Sequence, residues 1–125
     1  MMTKWFNLIA GGIVGTITRY VLSGLIYQIG GTNFPYGTLV VNLIGCLLIG
    51  FFSVLSEERF VLSLNTRMLL MVGFCGAFTT FSTFMLETAN LVKDGENFRA
   101  LINISASVLL GYLCFRFGVF LAEII

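Results

Sequence analysis

Long apolar segments make up most of the chain, and short polar connectors separate them. A membrane-spanning helix needs about 20 mostly apolar residues, and four segments approach or exceed this length. They run approximately over Trp5–Tyr27, Thr38–Leu55, Arg67–Val92 and Ala100–Ile124. The connectors leave no room for a folded extramembrane region. The pattern therefore predicts an all-α integral membrane protein with four transmembrane helices, forming a single domain over residues 1–125.

Composition supports a membrane protein and excludes several functions. Only 10% of the residues are charged and 58% are hydrophobic, whereas about 25% of an average soluble domain is charged. A soluble helical bundle would need polar outer faces, and the chain has too few charges to build them. The net charge of +1 gives no reason to expect nucleic acid as a partner. Without histidine, and with three cysteines that lack metal-ligand spacing, no enzyme active site can be assembled.

Small and polar residues recur at four-residue steps in three of the segments. Small residues at this spacing let helix backbones approach closely in lipid, so we interpret the glycines as packing positions. For Asn42, Asn103 and Ser107, interhelical hydrogen bonds and a polar lining for a permeant are equally compatible with the pattern. The rows are Asn7, Gly11, Gly15, Arg19 and Ser23 in the first segment, Thr38, Asn42, Cys46 and Gly50 in the second, and Asn103, Ser107 and Gly111 in the fourth.

The third segment differs from the others at Gly73–Phe84, which reads GFCGAFTTFSTF. Four hydroxyl side chains fall within five residues at roughly mid-membrane depth, where hydrocarbon offers them no partners. Weak helix formers follow two glycines, which predicts a break near Gly76–Thr80. Broken helices at this depth are tolerated only where protein or an ion satisfies the carbonyls. The alternative is a continuous helix whose hydroxyls bond back to carbonyls four residues earlier.

Three charged residues, Arg19, Glu87 and Arg116, lie within the apolar segments away from the segment ends. Arg19 is about 14 residues into the first segment and Glu87 about 20 into the third, so both are nearer the same face of the membrane at 1.5 Å per residue. We expect either a partly buried ion pair between them or a charge near a pore mouth. Arg116 lies near the opposite end of its segment, where its side chain can reach the interface.

Three sequence motifs together resemble the Fluc (CrcB) family of fluoride channels. They are GFCGAFTTFSTF followed by Glu87, GTLVVN at Gly37–Asn42, and GGIVGTITRY at Gly11–Tyr20. The resemblance covers almost the whole chain in length, span number and motif order. It implies a passive, fluoride-selective channel in the bacterial inner membrane, which exports fluoride and protects the cell from it. It also implies an antiparallel, dual-topology homodimer with two pores, in contact with membrane lipid.

The same resemblance assigns roles to individual residues of this chain. Phe81 and Phe84 correspond to the pore phenylalanines, and Asn42 corresponds to the pore asparagine of the second span. Ser82 and Thr83 correspond to hydroxyls beside the pore. Fluoride is small and strongly hydrated, so hydroxyl and amide donors and the positive edges of aromatic rings suit it. These residue types do not by themselves distinguish fluoride from another small anion.

Further positions match the family outside the central motif. Asn103 and Ser107 fall on a polar track of the fourth span, although tyrosine is common in the family where this chain has Asn103. Arg19 and Glu87 match positions near the vestibules. The resemblance further implies that the backbone carbonyls of Gly76 and Thr79, with those of a second copy, hold a structural sodium ion at the dimer interface.

Two other functions explain part of the pattern. A small four-span, dual-topology drug and proton exporter requires a carboxylate within its first span, and the only ionisable residue there is Arg19. A membrane assembly subunit without transport activity would account for the small-residue rows. It would leave the cluster of threonine and phenylalanine residues in the third segment unexplained.

The distribution of basic residues predicts that the chain inserts in both orientations. Lys4, Arg59 and Arg67 fall at or beyond the ends of the spans on one side, and Lys93 and Arg99 fall on the other. Lys and Arg in short loops set orientation, and three against two is a weak bias.

Single-cysteine labelling at the amino terminus should therefore find similar populations on both faces. Two lysines added to one loop should trap one orientation and abolish activity, and mixing oppositely trapped chains should restore it. Full activity from chains trapped in one orientation would exclude the antiparallel pair.

Overall fold

The computed structural model describes all residues, Met1–Ile125, and every regular element is helical. Four helical stretches are long and apolar enough to cross a membrane, which confirms the predicted all-α, four-span architecture. The observed stretches begin and end within a few residues of the predicted ones. They are Met2–Gly30, Tyr36–Glu58, Leu64–Lys93 and Asn97–Glu123, called below the first to fourth spans.

Within these spans the helices are numbered in chain order. The second span ends in a π-helical segment, Val54–Glu58, and the third contains another, Met68–Cys75. Short connectors join the spans, and two of them turn at glycines with positive φ, Gly31 and Gly95, a conformation that costs glycine little. The α-helices are α1 (Met2–Gly30), α2 (Tyr36–Ser53), α3 (Leu64–Arg67), α4 (Gly76–Phe78), α5 (Phe81–Lys93) and α6 (Asn97–Glu123).

The third span changes conformation at Thr79 and Thr80, called here the extended pair. Their backbone angles are φ −90°, ψ 157° and φ −148°, ψ 119°, outside the helical region. The Thr80 hydroxyl then accepts a hydrogen bond from the Thr83 N–H at 3.2 Å, as an N-cap of α5. The Thr79 hydroxyl donates back to the Cys75 carbonyl at 2.9 Å, as the continuous-helix alternative expected of the hydroxyls. The extended pair connects α4 to α5.

Glycines let neighbouring spans come into backbone contact, and two of these contacts are described here by the Cβ that each glycine lacks. On the first span, a Cβ added at Gly11 would collide with the Leu69 carbonyl oxygen of the third span. A Cβ added at Gly118 on α6 would collide with the Leu47 carbonyl oxygen on α2. The prediction that the glycines of the rows serve close packing is confirmed for Gly11, Gly15 and Gly50, whereas Gly111 has room for a Cβ. These contacts hold the first span against the third and α6 against α2.

The packing predicts different responses to alanine at two glycines of the same helix. Gly118→Ala should destabilise the protein by about 1–3 kcal/mol, the usual cost of overpacking a tight contact. Gly111→Ala is the matched control, because its added Cβ would meet only the Cys46 sulfur at 3.5 Å, an ordinary contact. It should be neutral or slightly stabilising, because alanine has the higher helix propensity. Thermal unfolding of the purified proteins in detergent measures both. Equal stability of the two variants would contradict this account of α2–α6 packing.

Candidate functional site

A cavity of about 420 Å³ lies where the second, third and fourth spans meet beside the extended pair. Six of the residues that the sequence assigned to a site line it, from three different spans. The remaining five assigned residues lie outside its wall. The six are Asn42, Gly76, Thr79, Phe81, Phe84 and Ser107.

Asn42 binds the backbone of the extended pair at two atoms. Its Oδ1 accepts a hydrogen bond from the Thr80 N–H at 2.7 Å, and its Nδ2 donates to the Thr80 carbonyl at 3.0 Å. The carboxamide thus replaces the helical partners that Thr80 lacks, while a second hydrogen on Nδ2 remains available. Asn42 therefore forms the interhelical hydrogen bond that was one of the two alternatives. It also lines the cavity, and a role toward a permeant stays a prediction.

Two backbone carbonyls lose their helical partners because of these bonds. In a continuous helix the Thr80 N–H would donate to the Gly76 carbonyl, four residues earlier, but it donates to Asn42. The Thr83 N–H would likewise donate to the Thr79 carbonyl, but it donates to the Thr80 hydroxyl. The freed carbonyls belong to the two residues that the resemblance assigned to a cation.

Arg19 binds the backbone of the third span next to the extended pair. Its Nε donates to the Ala77 carbonyl at 2.9 Å, where α4 ends. A cation near a helix C-terminus is favourable, because unpaired carbonyls concentrate partial negative charge there. The arginine thereby satisfies a backbone acceptor in the third span.

The expected ion pair between Arg19 and Glu87 is wrong. Glu87 Oε1 accepts hydrogen bonds from the Tyr27 hydroxyl at 2.8 Å and from the Thr38 hydroxyl at 2.9 Å. Arg19 and Glu87 each bind residues of a neighbouring span and do not bind each other. Neither Tyr27 nor a bond between Thr38 and Glu87 was predicted from the sequence, although Thr38 begins the four-residue row of the second segment.

Glu87 belongs to a second, polar cavity of about 340 Å³. This cavity is lined by Asp94, Glu96 and Arg99 from the connector between the third and fourth spans and its flanks, and by the connector after the first span. Arg99 and Glu96 form an exposed ion pair at 3.5 Å. A vestibule role for Glu87 stays a prediction.

Phe81 and Phe84 contact each other but differ in exposure. Their ring centroids are 5.7 Å apart, and the angle between the ring planes is 59°. Phe84 is 6% exposed, whereas Phe81 is 74% exposed. Both rings line the cavity, Phe84 as a buried side chain and Phe81 at the exposed surface of the chain.

The polar residues of the fourth span behave differently from one another. Ser107 lines the cavity, and its Oγ is buried without a hydrogen-bond partner. Asn103 is 1% exposed and donates to the Thr88 hydroxyl at 2.9 Å, so it links α6 to α5 away from the cavity.

Two hydroxyl residues of α5 in the third span were also assigned to the pore. Thr83 accepts a hydrogen bond from the Thr80 hydroxyl at 3.0 Å, and Ser82 is exposed. Pore roles for Ser82, Thr83 and Asn103 stay predictions.

Comparison with known proteins decides the family. The model of the family described as CrcB-like protein, Camphor Resistance (CrcB), matches residues 6–119. The chain belongs to the CrcB family. Membership confirms the resemblance inferred from the three motifs. With four helices able to cross a membrane, it also makes the chain a multi-pass protein of the bacterial inner membrane.

Relatives in the CrcB family match over nearly their full length. A protein of Maridesulfovibrio salexigens is 43% identical over 99% of this chain and 98% of its own length. One of Chlorobium phaeobacteroides is 47% identical over 92% and 89%, respectively. One of Solidesulfovibrio magneticus is 40% identical over the whole of both chains. Each of these three relatives is named fluoride-specific ion channel FluC.

Proposed function

We propose that this chain is a passive, fluoride-selective channel that exports fluoride from the cytoplasm and protects the cell from its toxicity. The observation that carries the proposal is the cavity beside the extended pair. Asn42, Phe81, Phe84 and Ser107 converge there from three spans, in a chain whose relatives are named fluoride-specific ion channels.

The donors in this cavity are neutral, which suits conduction of an anion. The unpartnered Ser107 hydroxyl and the second Nδ2 hydrogen of Asn42 can replace water around the ion. The phenylalanines can add positive ring edges. No lysine or arginine lines the cavity, and Arg19 is engaged with a backbone carbonyl. A bound anion is therefore attracted without being trapped, as conduction requires.

We infer further that the working unit is an antiparallel, dual-topology homodimer with two pores. A large aromatic side chain, Phe81, is 74% exposed beside an open cavity in the single chain. A second copy facing this surface would cover the ring and close the cavity. The near-equal number of basic residues on the two sides supports insertion in both orientations.

The extended pair is, in this proposal, the membrane-embedded break of the third helix, and the carbonyls of Gly76 and Thr79 are ligands of a structural sodium ion. Their helical partners are diverted to Asn42 and to the Thr80 hydroxyl. Carbonyl oxygens are the hard ligands that such a cation prefers. Two copies related by a two-fold axis would supply four of them. The ion would join the two chains and neutralise the exposed backbone dipoles.

A drug and proton exporter is disfavoured by the partners of the charged residues. The first span offers only Arg19, which bonds to the Ala77 carbonyl. Glu87 bonds through one oxygen to Tyr27 and Thr38 and lines the polar cavity near the end of the spans. Neither provides a carboxylate in the first span for proton exchange.

Fluoride efflux from liposomes tests the function and the pore residues together. The purified protein should release fluoride. Phe81→Ile and Phe84→Ile should greatly slow efflux by removing the positive ring edge, and Asn42→Asp should do so by placing a negative charge beside an anion. Phe98→Ile is the matched control, because Phe98 is also 74% exposed but lies outside the cavity, and it should keep the wild-type rate. Absence of wild-type efflux would refute the function, and wild-type rates in all three variants would refute only the pore assignment.

The cation proposal predicts that Thr79→Ser is mild, because the ligand is a backbone carbonyl. The variant should match the wild type in dimer stability and in its dependence on sodium, measured by thermal unfolding with sodium replaced by a large organic cation. An experimental structure of the dimer should contain an ion on the two-fold axis among the Gly76 and Thr79 carbonyls. A dimer with no ion on that axis would sink the cation assignment and leave the fluoride prediction standing.

A further inference from the structure

A buried hydrogen bond joins α5 of the third span to α6 of the fourth. Asn103 Nδ2 donates to the Thr88 hydroxyl at 2.9 Å, and Thr88 donates in turn to the Phe84 carbonyl at 2.7 Å. All three residues are buried, and no other side-chain hydrogen bond connects α5 with α6. We propose that Asn103 is a positioning residue that acts through Thr88. It sets how α5 is turned and aligned against α6, and it thereby places the Phe84 ring in the cavity.

The chemistry of the Thr88 hydroxyl makes this bond directional. A hydroxyl has one hydrogen to donate and accepts through its lone pairs. Because Thr88 gives its hydrogen to the Phe84 carbonyl, its oxygen meets Asn103 only as an acceptor, and the Asn103 amide supplies the hydrogen. The two bonds therefore hold the Thr88 side chain in one orientation and tie it to α6.

The same bond sets which residues of α5 and α6 lie at one level. The two helices run antiparallel, because only residues 94–96 connect them. One turn before Thr88 on α5 is Phe84, and one turn after Asn103 on α6 is Ser107. Residues four apart lie on the same side of a helix, so the bond brings Phe84 and Ser107 to a common level. Both of them line the cavity, and the Ser107 hydroxyl is buried without a partner.

Loss of the bond would leave α5 attached on one side only. Glu87 would still tie α5 to Tyr27 of the first span and Thr38 of the second, whereas α6 packs mainly against α2. The helix α5 is then free to turn about its axis and to carry the Phe84 ring away from the level of Ser107. A slower fluoride efflux would follow, a consequence that rests on the proposed function, although neither Asn103 nor Thr88 lines the cavity.

Fluorine NMR measures the position of the ring without any ion flux. The full-length protein carries para-fluorophenylalanine at position 84, and spectra are recorded in fluoride-free buffer. Asn103→Ala and Thr88→Val should each shift or broaden the resonance, because each removes one end of the bond. Thr88→Ser keeps the hydroxyl and should keep the wild-type resonance. Asn97→Ala is the matched control, because Asn97 is an exposed asparagine of the same helix α6, and it should also leave the resonance unchanged.

Fluoride efflux from liposomes measures the consequence of ring position. Asn103→Ala and Thr88→Val should each lose most of the wild-type efflux, and Thr88→Ser and Asn97→Ala should keep it. The double variant of Asn103→Ala and Thr88→Val should lose no more than the slower single variant, because residues that act through one bond are not additive.

A second variant keeps the test decisive if a single variant misfolds, as thermal unfolding in detergent would reveal. Asn103→Leu combined with Thr88→Val removes the bond and leaves no buried polar group without a partner, a change that can be nearly neutral for stability. This variant should fold and should still show the altered resonance and the slow efflux. A wild-type resonance in it would overturn the positioning role.

Two further results would overturn the proposal. One is slow efflux of Asn103→Ala with a wild-type resonance, which would mean that the amide acts on the ion directly. The other is wild-type efflux in both Asn103→Ala and Thr88→Val, which would reduce the bond to a structural contact. Absence of efflux from the wild type would refute the proposed function alone, since the resonance still decides whether Asn103 positions Phe84.

Discussion

The site depends on the pair of hydrogen bonds between the Asn42 carboxamide and the backbone of Thr80. A helix within a membrane cannot expose peptide groups without other partners, because hydrocarbon provides none and each unpaired group costs several kcal/mol. Asn42 supplies both a donor and an acceptor at the residue where the helical bonds end. This lets the third span adopt two extended residues and still keep the Thr80 N–H and carbonyl satisfied.

Neighbouring side chains also bind backbone groups on either side of the extended pair. Arg19 binds the Ala77 carbonyl at the end of α4, and the Thr80 hydroxyl binds the Thr83 N–H at the start of α5. The bonds that the Thr80 and Thr83 N–H groups make also leave the carbonyls of Gly76 and Thr79 without their usual helical donors. Under the proposed function, these carbonyls are the ligands of a cation, and the side chains around the cavity are the neutral donors to an anion.

Close glycine contacts give these bonds their geometry. Gly45 lies against Thr79, and a Cβ added there would collide with the Thr79 methyl group. Gly50 and Gly118 bring α2 and α6 into similar backbone contact. An asparagine side chain is short, so Asn42 reaches Thr80 only because the helices approach this closely. The packing of small residues and the polar contacts of the site are thus parts of one arrangement.

The sequence by itself determined the four spans, because their length and low charge permit no soluble alternative. It also determined the family, because three long motifs occur in order over nearly the whole chain. It indicated Asn42, Phe81, Phe84 and Ser107 as candidates, and these four residues line the cavity. Pore and cation roles for individual residues remain predictions, since the geometry of a single chain does not test them.

The partners of the charged and polar side chains were decided only by the tertiary structure. Arg19 and Glu87 were both expected nearer the same face of the membrane, so position along the spans alone suggested a pair. The rotation of each helix about its axis instead turns Arg19 to Ala77 and Glu87 to Tyr27 and Thr38. Asn103 likewise turns to Thr88. Helix periodicity gives the face that a residue occupies on its own helix, but the register between helices is set by side-chain packing, and that register decides which partner each polar group meets.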